Sequence, residues 1–112
     1  MTKERNKAVK ILVELIGYFF GNDISSIDMN LTYNVSGFNI HLRGNCECEP
    51  EELEKLNETL NAPRQNELEE YYWGLLGSSN SKQELYLLGS LVDSGKVEYN
   101  DGILEVSVER TT

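Results

Sequence analysis

The stretch from Ile27 to Arg43 limits what this chain can become more than any other. Ile27, Met29, Leu31, Tyr33 and Val35 alternate with Asp28, Asn30, Thr32 and Asn34; Ser36-Gly37 follows, and then Phe38, Ile40 and Leu42 alternate with Asn39, His41 and Arg43. Successive side chains on a strand point to opposite faces, so each run has one apolar and one polar side. Two such runs joined by a short connection containing glycine predict a β-hairpin turning at Ser36-Gly37. Its apolar face has to be covered by the other apolar residues of the chain.

The flanking segments supply that cover. Between Lys7 and Phe20, Ala8, Ile11, Leu12, Leu15, Ile16 and Phe19 recur at spacings of three and four, one face of an amphipathic helix, with Gly21-Asn22 as its stop. Gly44 to Glu49 reads as a loop, and Pro50-Glu51-Glu52 as the opening of a second helix with Leu53, Leu56 and Leu60 on its buried stripe, ending at Asn61-Ala62-Pro63. A third helical pattern covers residues 65–76, with the aromatic run Tyr71, Tyr72 and Trp73, the last partly off the stripe. Ser81-Lys82-Gln83-Glu84 fits a capping box for a fourth helix carrying Leu85, Leu88, Leu91 and Val92 and closed by Ser94-Gly95. Val97 and Tyr99, then Asp101-Gly102, then Leu104, Val106 and Val108 predict a second hairpin. The fold class expected is α+β: a two-layer α/β sandwich of about four largely antiparallel strands, with all helices on one face.

Composition narrows the function classes. The 112 residues make one domain with enough length for a core. Ten Lys and Arg are scattered among nineteen Asp and Glu, a net charge of −9, which argues against nucleic acid, since phosphate backbones need clustered cations. No apolar run approaches the roughly 18 residues that cross a bilayer, and the N-terminus lacks an apolar signal core, so a cytoplasmic protein without membrane attachment is expected. Cys46 and Cys48, one residue apart, are too close to close a useful disulfide loop. A zinc site would need His41, the single histidine, together with both thiols and a carboxylate.

Several local strings are similar to the histidine-kinase-like ATPase (GHKL) superfamily, and especially to its small anti-sigma-factor serine kinases. The last third, Glu84 to Asp93 followed by Val97-Glu98-Tyr99, Asp101-Gly102 and Ile103-Leu104-Glu105-Val106, resembles the family's last helix and closing hairpin. Phe38 to Asn45 followed by Pro50-Glu51-Glu52-Leu53 resembles its strand, nucleotide loop and next helix, and Val13-Glu14-Leu15-Ile16 stands where the family has its metal-binding helix. The resemblance implies a GHKL-like fold and a nucleotide pocket at Glu14, Tyr18, Gly44, Asn45, Cys46, Cys48, Lys82 and Glu84.

In that pocket the chain departs from the family. The asparagine that should follow Glu14 by one turn and help hold Mg²⁺ is Tyr18. Gly44 stands in place of the adenine-reading aspartate, and Cys46 and Cys48 stand where glycines should let the backbone come close. The second glycine-rich turn is represented by Lys82-Gln83-Glu84, whose carboxylate repels phosphate. The reading is a degenerate member, without catalysis or cofactor and with ATP not expected to bind, acting as a regulatory or protein-interaction module through a protein partner or self-association. Asn39, His41 and Arg43 on the polar sheet face, with Glu105 and Ser107, and the aromatic run Tyr71, Tyr72 and Trp73 are its candidate surfaces. The alternatives are an ATP-binding anti-sigma-type protein serine kinase or ATPase, with Glu14 as base and Asn22 or Asn45 as metal ligands, and a small metal or redox protein using Cys46 and Cys48.

Overall fold

The computed structural model describes residues 3–63, Glu69, Trp73 and 88–111. Helix α1 (Lys3–Gly21) is followed by β1 (Ile27–Asn34), β2 (Gly37–Asn45), α2 (Leu53–Leu60), a single 3-10 turn at Leu88–Ser90, β3 (Ser94–Asn100) and β4 (Ile103–Thr111). The strands form one antiparallel sheet in the order β1-β2-β4-β3.

Cross-strand register sorts the side chains. Met29, Leu42, Val106 and Val97 share one row, and Leu31, Ile40 and Val108 the next. These rows form the inner face, beneath Ala8, Ile11, Leu15 and Phe19 of α1, Leu56 and Leu60 of α2, and Leu88, Leu91 and Val92, all buried. The outer face is polar, with rows Asp28, Arg43, Glu105 and Glu98, and Asn30, His41, Ser107 and Lys96. The two-layer α+β arrangement is the one the alternation predicts. Asp101 (φ 51°) and Gly102 (φ 76°) both adopt left-handed geometry, as the second hairpin's turn requires.

Several boundaries fall elsewhere than expected. The first hairpin turns at Val35-Ser36, because the Asn34 side chain accepts hydrogen bonds from the Ser36 amide and hydroxyl, both at 2.9 Å, and ends the strand a residue early. Val35 is therefore 95% exposed at the tip. Gly37 opens β2 at φ 144°, where a Cβ would run into the Arg110 carbonyl. Gly44 and Asn45 extend β2 instead of starting a loop. Helix α2 begins at Leu53, after Glu52 in left-handed geometry, because Glu51 and Glu52 form a turn first. Ser94 and Gly95 open β3 instead of ending a helix. The third helical pattern and the capping box of the fourth lie outside the described residues, apart from Glu69, Trp73 and the end at Leu88–Val92.

Two features hold the layers together. Along the β3 edge, Asn57 donates to the Val97 carbonyl (2.7 Å) and accepts from its amide (2.6 Å). One helical turn later Asn61 repeats the pattern on Gly95, donating at 2.7 Å and accepting at 3.2 Å. The i,i+4 spacing on α2 matches the two-residue repeat of outward-facing groups on a strand, so two side-chain amides stand in for a fifth strand. At the other end of the sheet Arg110 is buried (3% exposed). Its guanidinium donates to Glu4 (3.2 Å) and to the Leu91 carbonyl (2.7 Å), pairs with Glu69, and lies 5.5 Å from the Trp73 ring centroid. Lys7 completes the cluster, 3.2 Å from Glu4 and 5.4 Å from the Trp73 ring centroid.

Candidate functional site: an acid-walled cavity

A cavity of about 1030 Å³ opens between the C-terminal end of α1, residues 22–26 and the segment from Asn45 to Glu52, with Leu56 of α2 and Gly102 of the β3–β4 turn at its margin. Its shape follows from how α1 ends. Asp23 takes left-handed geometry (φ 61°), its amide bonding the Phe20 carbonyl while the Ile24 amide reaches back to Phe19. This is the paired hydrogen bonding of a Schellman cap, and it buries Ile24 in the core. The left-handed residue is thus Asp23, not the expected Gly21. Gly21 and Gly17, one turn apart on α1, instead line the cavity, and a Cβ on either would meet nothing within 4 Å.

The opposite wall is the continuation of β2. The Cys46 amide donates to the Gly102 carbonyl (2.8 Å), and the Tyr99 hydroxyl donates to the Cys46 carbonyl (2.9 Å). The Cys46 thiol is buried and lies 3.0 Å from the Cys48 carbonyl oxygen, whereas Cys48 is exposed.

The charge of this cavity is one-sided. Asp23, Glu47, Glu49, Glu51 and Glu52 line it, and no Lys, Arg or His is among the described lining residues. Tyr99 senses the same surroundings: burial first, then the charges of Cys46, Cys48 and Glu49, raise its phenol above the ordinary value. All five acids are exposed to solvent, at the rim of the cavity. The signal in the sequence is the density of acids from Glu47 to Glu52 beside the end of β2.

Of the pocket residues expected from the sequence, Tyr18, Asn45, Cys46 and Cys48 line this cavity. Glu14 and Gly44 do not. Gly44 faces the underside of α1, where a Cβ would lie 2.6 Å from Ile24 Cγ2 and 3.0 Å from the Ser26 carbonyl oxygen. Close packing excludes an aspartate there regardless of ligand. Lys82 and Glu84 lie outside the described residues.

The surface candidates separate in the same way. Asn39, His41 and Arg43 lie on the outer sheet face with Glu105, which accepts from His41 at 3.0 Å and pairs with Arg43 at 3.8 Å. Trp73 is 5% exposed and packed among Arg110, Lys7 and Glu69, so it is a core residue and not part of an exposed aromatic surface. Tyr71 and Tyr72 lie outside the described residues. The zinc arrangement needs His41 beside both thiols, but alternation puts His41 on the outer face and Cys46 in the core below the inner one. Among the described residues no three His, Cys, Asp or Glu side chains are grouped to hold a metal ion, and no helix is long and apolar enough to cross a membrane.

No protein-family model, no curated protein and no solved structure matches this chain.

Proposed function

We propose that this chain is a non-catalytic regulatory or protein-interaction module on a GHKL-like framework, its former nucleotide pocket no longer suited to phosphate. The observation that carries this reading is the cavity wall. The cavity has room for a nucleotide-sized ligand, but five carboxylates and no described cation face it. Their like charge opposes the entry of a phosphate. The coincidence of Tyr18, Asn45, Cys46 and Cys48 with the cavity supports the GHKL-like alignment, and the element order supports its framework. The polar outer face, with Asn39, His41 and Arg43, and the exposed apolar side chains Met29 and Leu31 of β1 support a protein partner.

Calorimetric titration with ATP and with ADP, with and without Mg²⁺, tests the reading. No heat at millimolar nucleotide is the expected result. Magnesium-dependent binding in the micromolar range would overturn it and put the anti-sigma-type kinase or ATPase first.

A further inference from the structure

The two edges of the sheet are treated differently. At β3, Asn57 and Asn61 satisfy the outward amides and carbonyls of Gly95 and Val97, and Lys96 and Glu98 add charge. At β1, eight residues long, the outward backbone groups have no hydrogen-bond partner among the described residues. The strand has no proline and no lysine, and its only charge is Asp28. An edge of this kind is a template for another strand.

The surface beside that edge is apolar. On the inner face of β1, Met29 is 51% and Leu31 43% exposed. On α1, Val9 (44%), Val13 (55%) and Phe20 (59%) are exposed and form one stripe with half-buried Ile16, spaced 4, 3 and 4 along the helix. Arg5, four residues before Val9, lies 5.2 Å from the Tyr33 ring centroid, which places this flank of α1 over β1 and not over the opposite side, where Lys7 meets Trp73. Strand edge and helix stripe thus lie on the same flank of the molecule.

We infer that a second copy of this chain covers it, the two β1 strands pairing antiparallel about a two-fold axis so that the sheets join and the α1 stripes meet above the seam. A two-fold axis makes a strand antiparallel to its own copy, so one operation fills both the edge and the stripe. Pairing odd with odd residues keeps both apolar faces on one side. Centred on Leu31, it sets Met29 opposite Tyr33 of the second copy and Asp28 opposite its Asn34, so no like charges face each other. Charge permits this occupant: each chain carries −9, yet β1 holds one carboxylate and the α1 stripe none. Two acidic chains can approach here with the least repulsion, and added salt should tighten the pair, the opposite of its effect on a basic partner. The inference deepens the interaction reading by naming a surface and its partner; nucleotide titration tests the cavity and sedimentation tests the edge, so each can fail alone.

Sedimentation equilibrium of the purified full chain, from low to high micromolar and at two salt concentrations, is the test. A reversible dimer that persists or tightens with salt is expected. Leu31→Lys and Met29→Lys each place two lysines at the seam, one per copy, and should weaken the dimer about a hundredfold, about tenfold per lysine. Both sites are already exposed, so circular dichroism and melting should remain near wild type; Lys96→Ala at the other edge should leave the dimer unchanged. Hydrogen exchange should show β1 amides slowing with concentration while those of β3 do not change. A monomer throughout, or a dimer indifferent to both lysines, would overturn the inference.

Discussion

Removing Arg110 should cost more stability than any surface change in this protein, and the cost can be assembled from its contacts. Its side chain is 4% exposed and faces Glu69, whose side chain is 10% exposed. Without the guanidinium, Glu69 keeps Lys7 at 4.0 Å and a long 3.4 Å bond from the Trp73 indole, and the Leu91 carbonyl loses a 2.7 Å donor. An orphaned buried acceptor costs about 1–3 kcal/mol, and breaking one side of a buried ion pair about 3–5 kcal/mol. These overlap, so Arg110→Met is expected to lose about 3–5 kcal/mol, a melting-temperature fall of roughly 12–20 °C at about 4 °C per kcal/mol. Denaturant unfolding of four proteins would measure it: wild type, Arg110→Met, Glu69→Gln and the double variant. Glu69→Gln should destabilise the wild type, because it discards a paired charge. In the Arg110→Met background it should restore about 1–2 kcal/mol, because it removes a buried charge that has lost the Arg110 guanidinium. A loss below about 1 kcal/mol for Arg110→Met, or the same sign for Glu69→Gln in both backgrounds, would refute the reasoning.

Other consequences follow from single contacts. Gly17→Ala adds a methyl that meets nothing within 4 Å and removes a helix-interior glycine, so chemical denaturation should show a gain of about 0.5–1 kcal/mol. Asn57→Ala deletes both amide bridges to Val97 and should cost about 1–2 kcal/mol, with faster hydrogen exchange at the Val97 amide; Asn61→Ala, more exposed, should cost less. Burial raises the Glu4 carboxyl, but hydrogen bonds and charge from Lys7 and Arg110 outweigh it and hold the group below its ordinary value. Its contribution is therefore complete above the unfolded carboxyl range and disappears as pH falls through the folded value. Melting scanned from neutral to acid should fall less steeply for Glu4→Gln than for wild type.

Elements whose pattern is local were legible in the residues alone. Alternation over Ile27–Tyr33, Phe38–Leu42 and Leu104–Val108 decides both strand identity and facing, because a period of two leaves no other way to bury the apolar set. Asp101-Gly102 marks its own turn because few residue pairs tolerate two positive φ angles. Helical spacing in α1 marks Ala8, Ile11, Leu15 and Phe19 as its buried face. The remaining features depend on partners distant in sequence. Gly44 looked like a lost ligand and proves to be a packing requirement of Ile24 and Ser26. Trp73, open to either a core or a surface role from its place partly off the helical stripe, proves to be walled by Arg110, 37 residues on, and by Lys7. Asn57 and Asn61 are unremarkable polar helix positions until β3 lies alongside them. Acids spread from Asp23 to Glu52 become one negative wall because the end of α1 and the end of β2 converge. Local periodicity decides which face is buried; only the completed fold decides which residues meet across it, because those meetings depend on contacts the chain makes far from its own neighbours.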